Sequence, residues 1–231
     1  MKVTAVVVAG GTGSRMRASI PKQFMLLEGR EIFVRSVEVF CGSDFVDNTV
    51  LVMHEEWIDE ARKVLDRESI NRLNIVEGGS TRQESVRNAL EYLKDSQTDI
   101  VMIHDAARPL FSRRQIPEIL KSLQRGTGVV VVESLRDTIY ITQEGFVKEI
   151  PDRSLLKAAQ TPQTFYYDEI LLSHRLALSE GIENSTDDAG LFIRSGGRVL
   201  TVESHTRNLK ITEPNDIALA KCILDLQVRR D

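Results

Sequence analysis

At 231 residues, 42% hydrophobic and 28% charged, the chain has the size and composition of a globular protein with a substantial core. Its formal net charge of −4 argues against a nucleic-acid-binding surface, because phosphate backbones need a broad basic face. No apolar run approaches a membrane span and the N-terminus reads straight into a strand without a cleavable leader, so the cytoplasm is the expected compartment, with neither membrane nor nucleic acid as a partner.

The first element is the continuous apolar run Val3 to Ala9, which predicts a strand buried on both faces of a parallel sheet. Gly10, Gly11 and Gly13 follow at once, and without Cβ atoms they let the backbone turn sharply and bring several N–H groups near an anion. Lys2, Arg15, Arg17 and Lys22, with no acid before Glu28, give the first 27 residues a charge of 4 − 0 = +4 in an acidic chain. A phosphate site is therefore expected here, the alternative being a tight turn with solvated cations. The spacing is neither the G-x-G-x-x-G of dinucleotide-binding folds nor a loop ending in Gly-Lys-Ser/Thr.

Beyond the loop, helical spacing covers Ile32 to Phe40, Trp57 to Leu65, Glu84 to Leu93 and Gln115 to Leu123, and strands are predicted at Thr49 to Met53, Leu73 to Val76, Ile100 to Ile103 and Gly128 to Val132. This alternation predicts an α/β fold, a Rossmann-like, mostly parallel twisted sheet over residues 1–231 as one domain, with ligands bound at the carboxyl ends of its strands. The alternation breaks at 136–157, where Asp137 to Ile141 and Phe146 to Ile150 flank the turn-like Gln143-Glu144-Gly145 and read as a β-hairpin arm. The arm has too few apolar residues for a core of its own, so it is expected to pack on something else, either in a homodimer or as a surface flap. Helices return at Asp168 to Leu178, Asp187 to Arg194 and Pro214 to Leu226, with a strand at Arg198 to Val202. Cys41 and Cys222 fall in helix-like apolar patterns and are expected in the core.

Two further segments carry chemistry. Gly78-Gly79-Ser80-Thr81-Arg82-Gln83-Glu84-Ser85 sets two glycines before a helix that shows Arg82 and Ser85 on one face, suited either to a ligand against the backbone or to a plain capped helix. His104-Asp105-Ala106-Ala107-Arg108-Pro109 delivers an acid and a base to the same edge, Asp105 for a metal or polar ligand and Arg108 for a phosphate, unless the two form a structural ion pair. His104 reads as structural.

Ala9-Gly10-Gly11-Thr12-Gly13-Ser14-Arg15-Met16 with Pro21-Lys22-Gln23-Phe24 resembles the signature loop of the sugar-phosphate nucleotidyltransferases, in particular the cytidylyltransferases acting on methylerythritol phosphate and ribitol phosphate. The segments at Gly78 and His104, Asp152-Arg153 with Thr161-Pro162-Gln163, Thr186-Asp187-Asp188-Ala189 and Asn208-Leu209-Lys210-Ile211-Thr212 match that family in order. The second alanine after Asp105 is similar to the methylerythritol enzymes, whereas Gly10-Gly11-Thr12 is closer to the ribitol type. The resemblance implies a nucleotide-diphospho-sugar transferase fold, CTP and a polyol phosphate as substrates, Mg²⁺ as cofactor with Asp105 as its ligand, and a homodimer through the 136–157 arm. It implies Arg15 and Lys22 as catalytic cations, and Arg153, Lys210, Arg108 and Thr138 as substrate-positioning groups. It also implies nucleotide binding by Ala9, Gly10, Gly11, Gly13, Gly79, Arg82, Ser85, Asp105 and Ala106. A nucleotide-sensing protein on the same scaffold is the reading from a different class.

Overall fold

In the computed structural model, which describes residues 1–10, 20–71 and 73–228, the first strand, β1 (Val3–Ala9), is buried along almost its whole length. Val3, Ala5, Val7 and Ala9 pack into one apolar cluster and Val6 into another, the period-two division of a strand covered on both sides. A 3-10 turn at Lys22–Phe24 and a small ribbon of β2 (Leu26–Leu27) and β3 (Arg30–Glu31) lead into α1 (Ile32–Cys41). The chain continues through β4 (Asn48–Met53), α2 (Ile58–Arg67), β5 (Leu73–Glu77), α3 (Arg82–Tyr92), β6 (Ile100–Asp105), α4 (Ile116–Ser122) and β7 (Thr127–Ser134). It closes with β8 (Ile141–Gln143), β9 (Phe146–Glu149), β10 (Lys157–Tyr166), α5 (Tyr167–Ser179), α6 (Asp188–Arg194), β11 (Arg198–Glu203) and α7 (Pro214–Val228).

The main sheet has the order β11-β7-β10-β6-β1-β4-β5. β1 is parallel to β4 and β6, β4 to β5, and β7 to β11, while β10 runs antiparallel to both neighbours. The expected mostly parallel α/β sheet is thus present. Phe33, Val37 and Phe40 of α1, Val64 of α2 and Ile116 of α4 cover one face, and Val86 and Leu90 of α3, Ile170 of α5 and Phe192 of α6 cover the other. Because the chain runs from β1 out to β4 and β5 before placing β6 on β1's other side, the carboxyl ends of β1 and β6 border a topological switch point, where clefts open in such sheets.

Three features differ from the sequence reading. β10 was not among the strands read from the sequence, and a proline is unusual in a central strand. Pro162 falls where the register on β7 shifts between Ala159 and Gln163, so the ladder needs no donor from it. In the hairpin, Glu144 and Gly145 both adopt positive φ (52° and 83°), and this two-residue loop sets Gln143 opposite Phe146. Pairing ends at Ile141 and Glu149 rather than extending back to Asp137, because Pro151, just beyond, has no N–H to donate. Finally, Cys41 is half-buried against the core but Cys222 is exposed. The buried face of α7 is Ala220 and Ile223, and Cys222 lies about 200° round the helix from Ala220.

Candidate active site

β1 and β5 each run into glycine, and the two glycine turns meet over the start of α3. A Cβ on Gly10 would lie 2.7 Å from Ser85 Oγ, and on Gly79 it would fall 2.0 Å from Glu84 Cγ. Glycine is what allows this close approach. Ser85 is buried and accepts the Gly79 N–H at 3.0 Å. The helix start is held reciprocally: Thr81 Oγ1 accepts from the Glu84 N–H at 3.1 Å, and Glu84 accepts from the Ser80 N–H and hydroxyl at 2.7 Å each. Ala9 is buried, and its carbonyl accepts from Gln23 Nε2 at 2.7 Å. Gly10, Gly79 and Ser85 thereby form one cradle. Gly11, Gly13 and Arg15 lie outside the described residues.

Beside the cradle, at the carboxyl end of β6, stands a cluster of opposite charges. Asp105 Oδ1 accepts from Arg82 Nε at 3.0 Å and Oδ2 from Lys210 Nζ at 2.7 Å. Arg82 Nη1 also donates to Asp188 Oδ2 at 2.9 Å, and Asp188 Oδ1 meets His174 Nε2 at 3.1 Å. Burial alone pushes the Asp105 carboxyl upward, but the Arg82 and Lys210 charges outweigh it and hold Asp105 well below the usual carboxylate range. Burial likewise works against the Arg82 cation, and Asp188 and Asp105 overcome it, raising its pKa. Arg82 is the first residue of α3, where the helix dipole disfavours a cation, so the two carboxylates hold in place a charge the helix end alone would repel.

Lys22 Nζ donates to the Ile211 carbonyl at 3.0 Å, which brings it to the backbone next to Lys210. Arg108 Nη1 donates to the Asn208 carbonyl at 2.7 Å and Nη2 to the Ala159 carbonyl at 3.5 Å, while its buried Nε has no partner among the described residues. Ala106 is fully buried, its N–H bonded to the Val8 carbonyl and its own carbonyl accepting from Ser36 Oγ at 2.8 Å, so it shapes the floor with no backbone donor to spare. His104 is buried, with Nε2 on the Arg108 carbonyl at 3.0 Å and Nδ1 on Thr161 Oγ1 at 3.0 Å. Burial depresses its pKa to about 4. Thr161 Oγ1 in turn accepts the Asp105 N–H at 3.1 Å, so His104 supports Asp105 from behind.

Arg153 and Thr138 are not drawn into this cluster. Both are exposed, and among the described residues the Arg153 side chain bonds only the Arg136 carbonyl at the base of its own arm. Asp188 begins α6, in keeping with the helix start read from sequence, but its side chain is almost fully buried, while Asp187 is the cap, accepting from the Gly190 N–H at 3.0 Å. Adjacent aspartates before an apolar run do not reveal which one turns inward.

No group of three or more His, Cys, Asp or Glu among the described residues forms a metal site. Mg²⁺ carried on a triphosphate keeps waters and needs only one or two protein carboxylates. Asp105 fits that role as a single hard donor, provided Lys210 or Arg82 releases an oxygen to the ion.

A family model described as 2-C-methyl-D-erythritol 4-phosphate cytidylyltransferase (IspD) matches residues 3–226. The 2-C-methyl-D-erythritol 4-phosphate cytidylyltransferase of Clostridioides difficile is 37% identical, covering 98% of this chain and 95% of the relative, and that of Clostridium novyi is 39% identical, covering 97% of each. Among solved structures, the 4-diphosphocytidyl-2C-methyl-D-erythritol synthase of Anaerococcus prevotii superposes with a TM-score of 0.84 at 26% identity, covering 97% of this chain and 96% of that one. With a match that spans the whole sheet and every segment of the site, the chain belongs to the 2-C-methyl-D-erythritol 4-phosphate cytidylyltransferase family.

Proposed function

We propose that this site transfers the cytidylyl group of CTP to 2-C-methyl-D-erythritol 4-phosphate, releasing pyrophosphate and forming 4-diphosphocytidyl-2-C-methyl-D-erythritol for non-mevalonate isoprenoid biosynthesis. A phosphate oxygen of the polyol attacks the α-phosphorus of CTP, and the bond from that phosphorus to the bridging oxygen of the leaving pyrophosphate breaks. The nucleophile is already anionic near neutral pH, so the reaction needs no general base. His104, with both ring nitrogens committed and its pKa depressed to about 4, is unsuited to being one. The obstacle is repulsion between two polyanions, and fixed cations are the remedy.

The observation that carries this reading is Asp105 in the β1/β6 crevice, holding Lys210 on one oxygen and Arg82 on the other, with Lys22 at the neighbouring Ile211 carbonyl. Lys22 and Arg15 stabilise charge on the α-phosphoryl oxygens and leaving group, and Lys210 and Arg108 position the polyol phosphate. The cradle of Gly10, Gly79 and Ser85 takes the nucleoside, Arg82 stands beside it, and Ala9, Gly11, Gly13 and Ala106 contribute to nucleotide binding. Asp105 would hold Mg²⁺, which would supply neutralisation of phosphate charge.

The arm supports a homodimer. Among the described residues β8 and β9 pair only with each other, and Phe146, Ile150 and Leu155 are 79%, 61% and 81% exposed, apolar surface that a second copy would cover. In such a dimer Arg153 and Thr138 serve the partner's substrate phosphate. We place the enzyme in the cytoplasm; among the described residues no helix is long and apolar enough to cross a membrane. The test is kcat/KM for pyrophosphate release with CTP or UTP against 2-C-methyl-D-erythritol 4-phosphate or ribitol 5-phosphate. CTP with the methylerythritol substrate should lead; preference for ribitol phosphate, or no turnover with any pair, would overturn the proposal.

A further inference from the structure

Arg82 links the active site to two groups deep in the fold that have no place in the chemistry above. Asp188, at the first position of α6, has a side chain 1% exposed, and His174, in the middle of α5, has one 0% exposed. The row runs His174 Nε2 to Asp188 Oδ1 at 3.1 Å, Asp188 Oδ2 to Arg82 Nη1 at 2.9 Å, and Arg82 Nε to Asp105 Oδ1 at 3.0 Å. Asp188 is held from its backbone as well: its N–H and that of Ala189 donate to Gln163 Oε1 of β10 at 3.0 and 2.9 Å. Among the described residues the buried Nδ1 of His174 has no partner, so a proton there would find no acceptor, and Nε2 is the nitrogen that donates to Asp188.

Such a row is a poor device for stability. Buried ion pairs are frequently no better than well-packed apolar residues of the same volume, and here one partner is a cation at a helix N-terminus. What the row does accomplish is geometric. A guanidinium is a rigid planar fork, so fixing Nε on Asp105 and Nη1 on Asp188 fixes its plane and the direction of Nη2. Among the described residues Nη2 has no hydrogen-bond partner, and Arg82 leads the helix whose start meets the glycine cradle.

We propose that His174 and Asp188 are positioning residues for the nucleotide: they orient Arg82 so that its third nitrogen meets an acceptor on CTP. This rests on the functional reading above only in naming CTP as the ligand. The test compares wild type with His174→Leu, which removes the donor and keeps the bulk, His174→Gln, which restores a donor near Nε2, and Asp188→Asn. CTP affinity is measured by calorimetry without the second substrate, alongside KM for both substrates and the melting temperature.

His174→Leu should weaken CTP by about 10-fold or more, as expected for loss of a hydrogen bond to a charged group, with KM for the polyol phosphate within about twofold and most of the CTP loss recovered in His174→Gln. Asp188→Asn is the sharper variant, because removing a negative charge beside a triphosphate site would on electrostatic grounds alone tighten CTP. Weakened CTP binding in Asp188→Asn therefore reports lost orientation. Wild-type or tighter CTP binding in Asp188→Asn, or a His174→Leu enzyme that melts earlier but keeps the wild-type CTP affinity, would overturn the proposal. If wild type binds CTP yet turns over no polyol phosphate, the functional reading fails while the calorimetric comparison still decides this one.

Discussion

Lowering the pH should destabilise the fold through His104 before it touches the carboxylates. The ring is 0% exposed, packs against Phe40 and Phe111, and has its pKa depressed by burial from the ordinary 6.5 to about 4. In the unfolded chain the imidazole takes a proton near 6.5, while in the folded chain it resists until about 4. Between these values the unfolded state binds the extra proton, so stability rises with pH across the window. The contribution is complete above 6.5 and lost as pH falls through the folded pKa of about 4. At about 1.36 kcal/mol per pH unit, moving from about pH 7.5 to about pH 5 removes about 2 kcal/mol, and the loss reached at about pH 4 is about 3 kcal/mol. The assay is urea unfolding followed by circular dichroism at a series of pH values, for wild type and for His104→Gln, which has nothing to titrate. The variant is less stable at neutral pH, but its stability should fall by about 2 kcal/mol less between the two pH values. Parallel pH dependences for the two proteins would refute the argument.

Two further outcomes follow from the site and the arm. Gly79→Ala places a methyl 2.0 Å from Glu84 Cγ and so forces Glu84 off the Ser80 groups it caps; we expect a cost of about 1–3 kcal/mol in stability and KM for CTP raised about 10-fold, against which unchanged melting and KM would count. Lys22→Ala and Arg153→Ala subunits, each nearly inactive, should regain about a quarter of wild-type activity when refolded as an equal mixture, because half the dimers are mixed and one site in each carries neither defect. A mixture as inactive as its parents would mean that Arg153 acts within its own chain.

Much of the molecule was legible because local pattern and tertiary role agree. The unbroken apolar run of β1 can only be satisfied with helices on both faces, and the glycines after it mark the place where Gly10 approaches Ser85. Asp105 and Arg108 were legible as candidates from their position at a strand's carboxyl end. β10 was not, since the one residue that argues against a strand, Pro162, sits in a bulge whose existence depends on β7. The hairpin was found but overextended, as Asp137 to Tyr140 has strand-like residues whose would-be partners run into Pro151. The Arg82–Asp188 and Lys210–Asp105 bonds join residues 106 and 105 positions apart, and no local signal distinguishes an inward Asp188 from a capping Asp187.

Whether fixed cations rather than a proton-transfer group do the catalytic work is decided by the single-turnover rate of pyrophosphate release from Lys22→Ala with both substrates saturating, read beside its CTP dissociation constant. A cation that acts chiefly on charge developing in the transition state should, when removed, lower that rate by about 100-fold or more while CTP binding changes by no more than about threefold. An unchanged single-turnover rate with weakened CTP binding would place Lys22 in ground-state recognition and remove it from transition-state stabilisation.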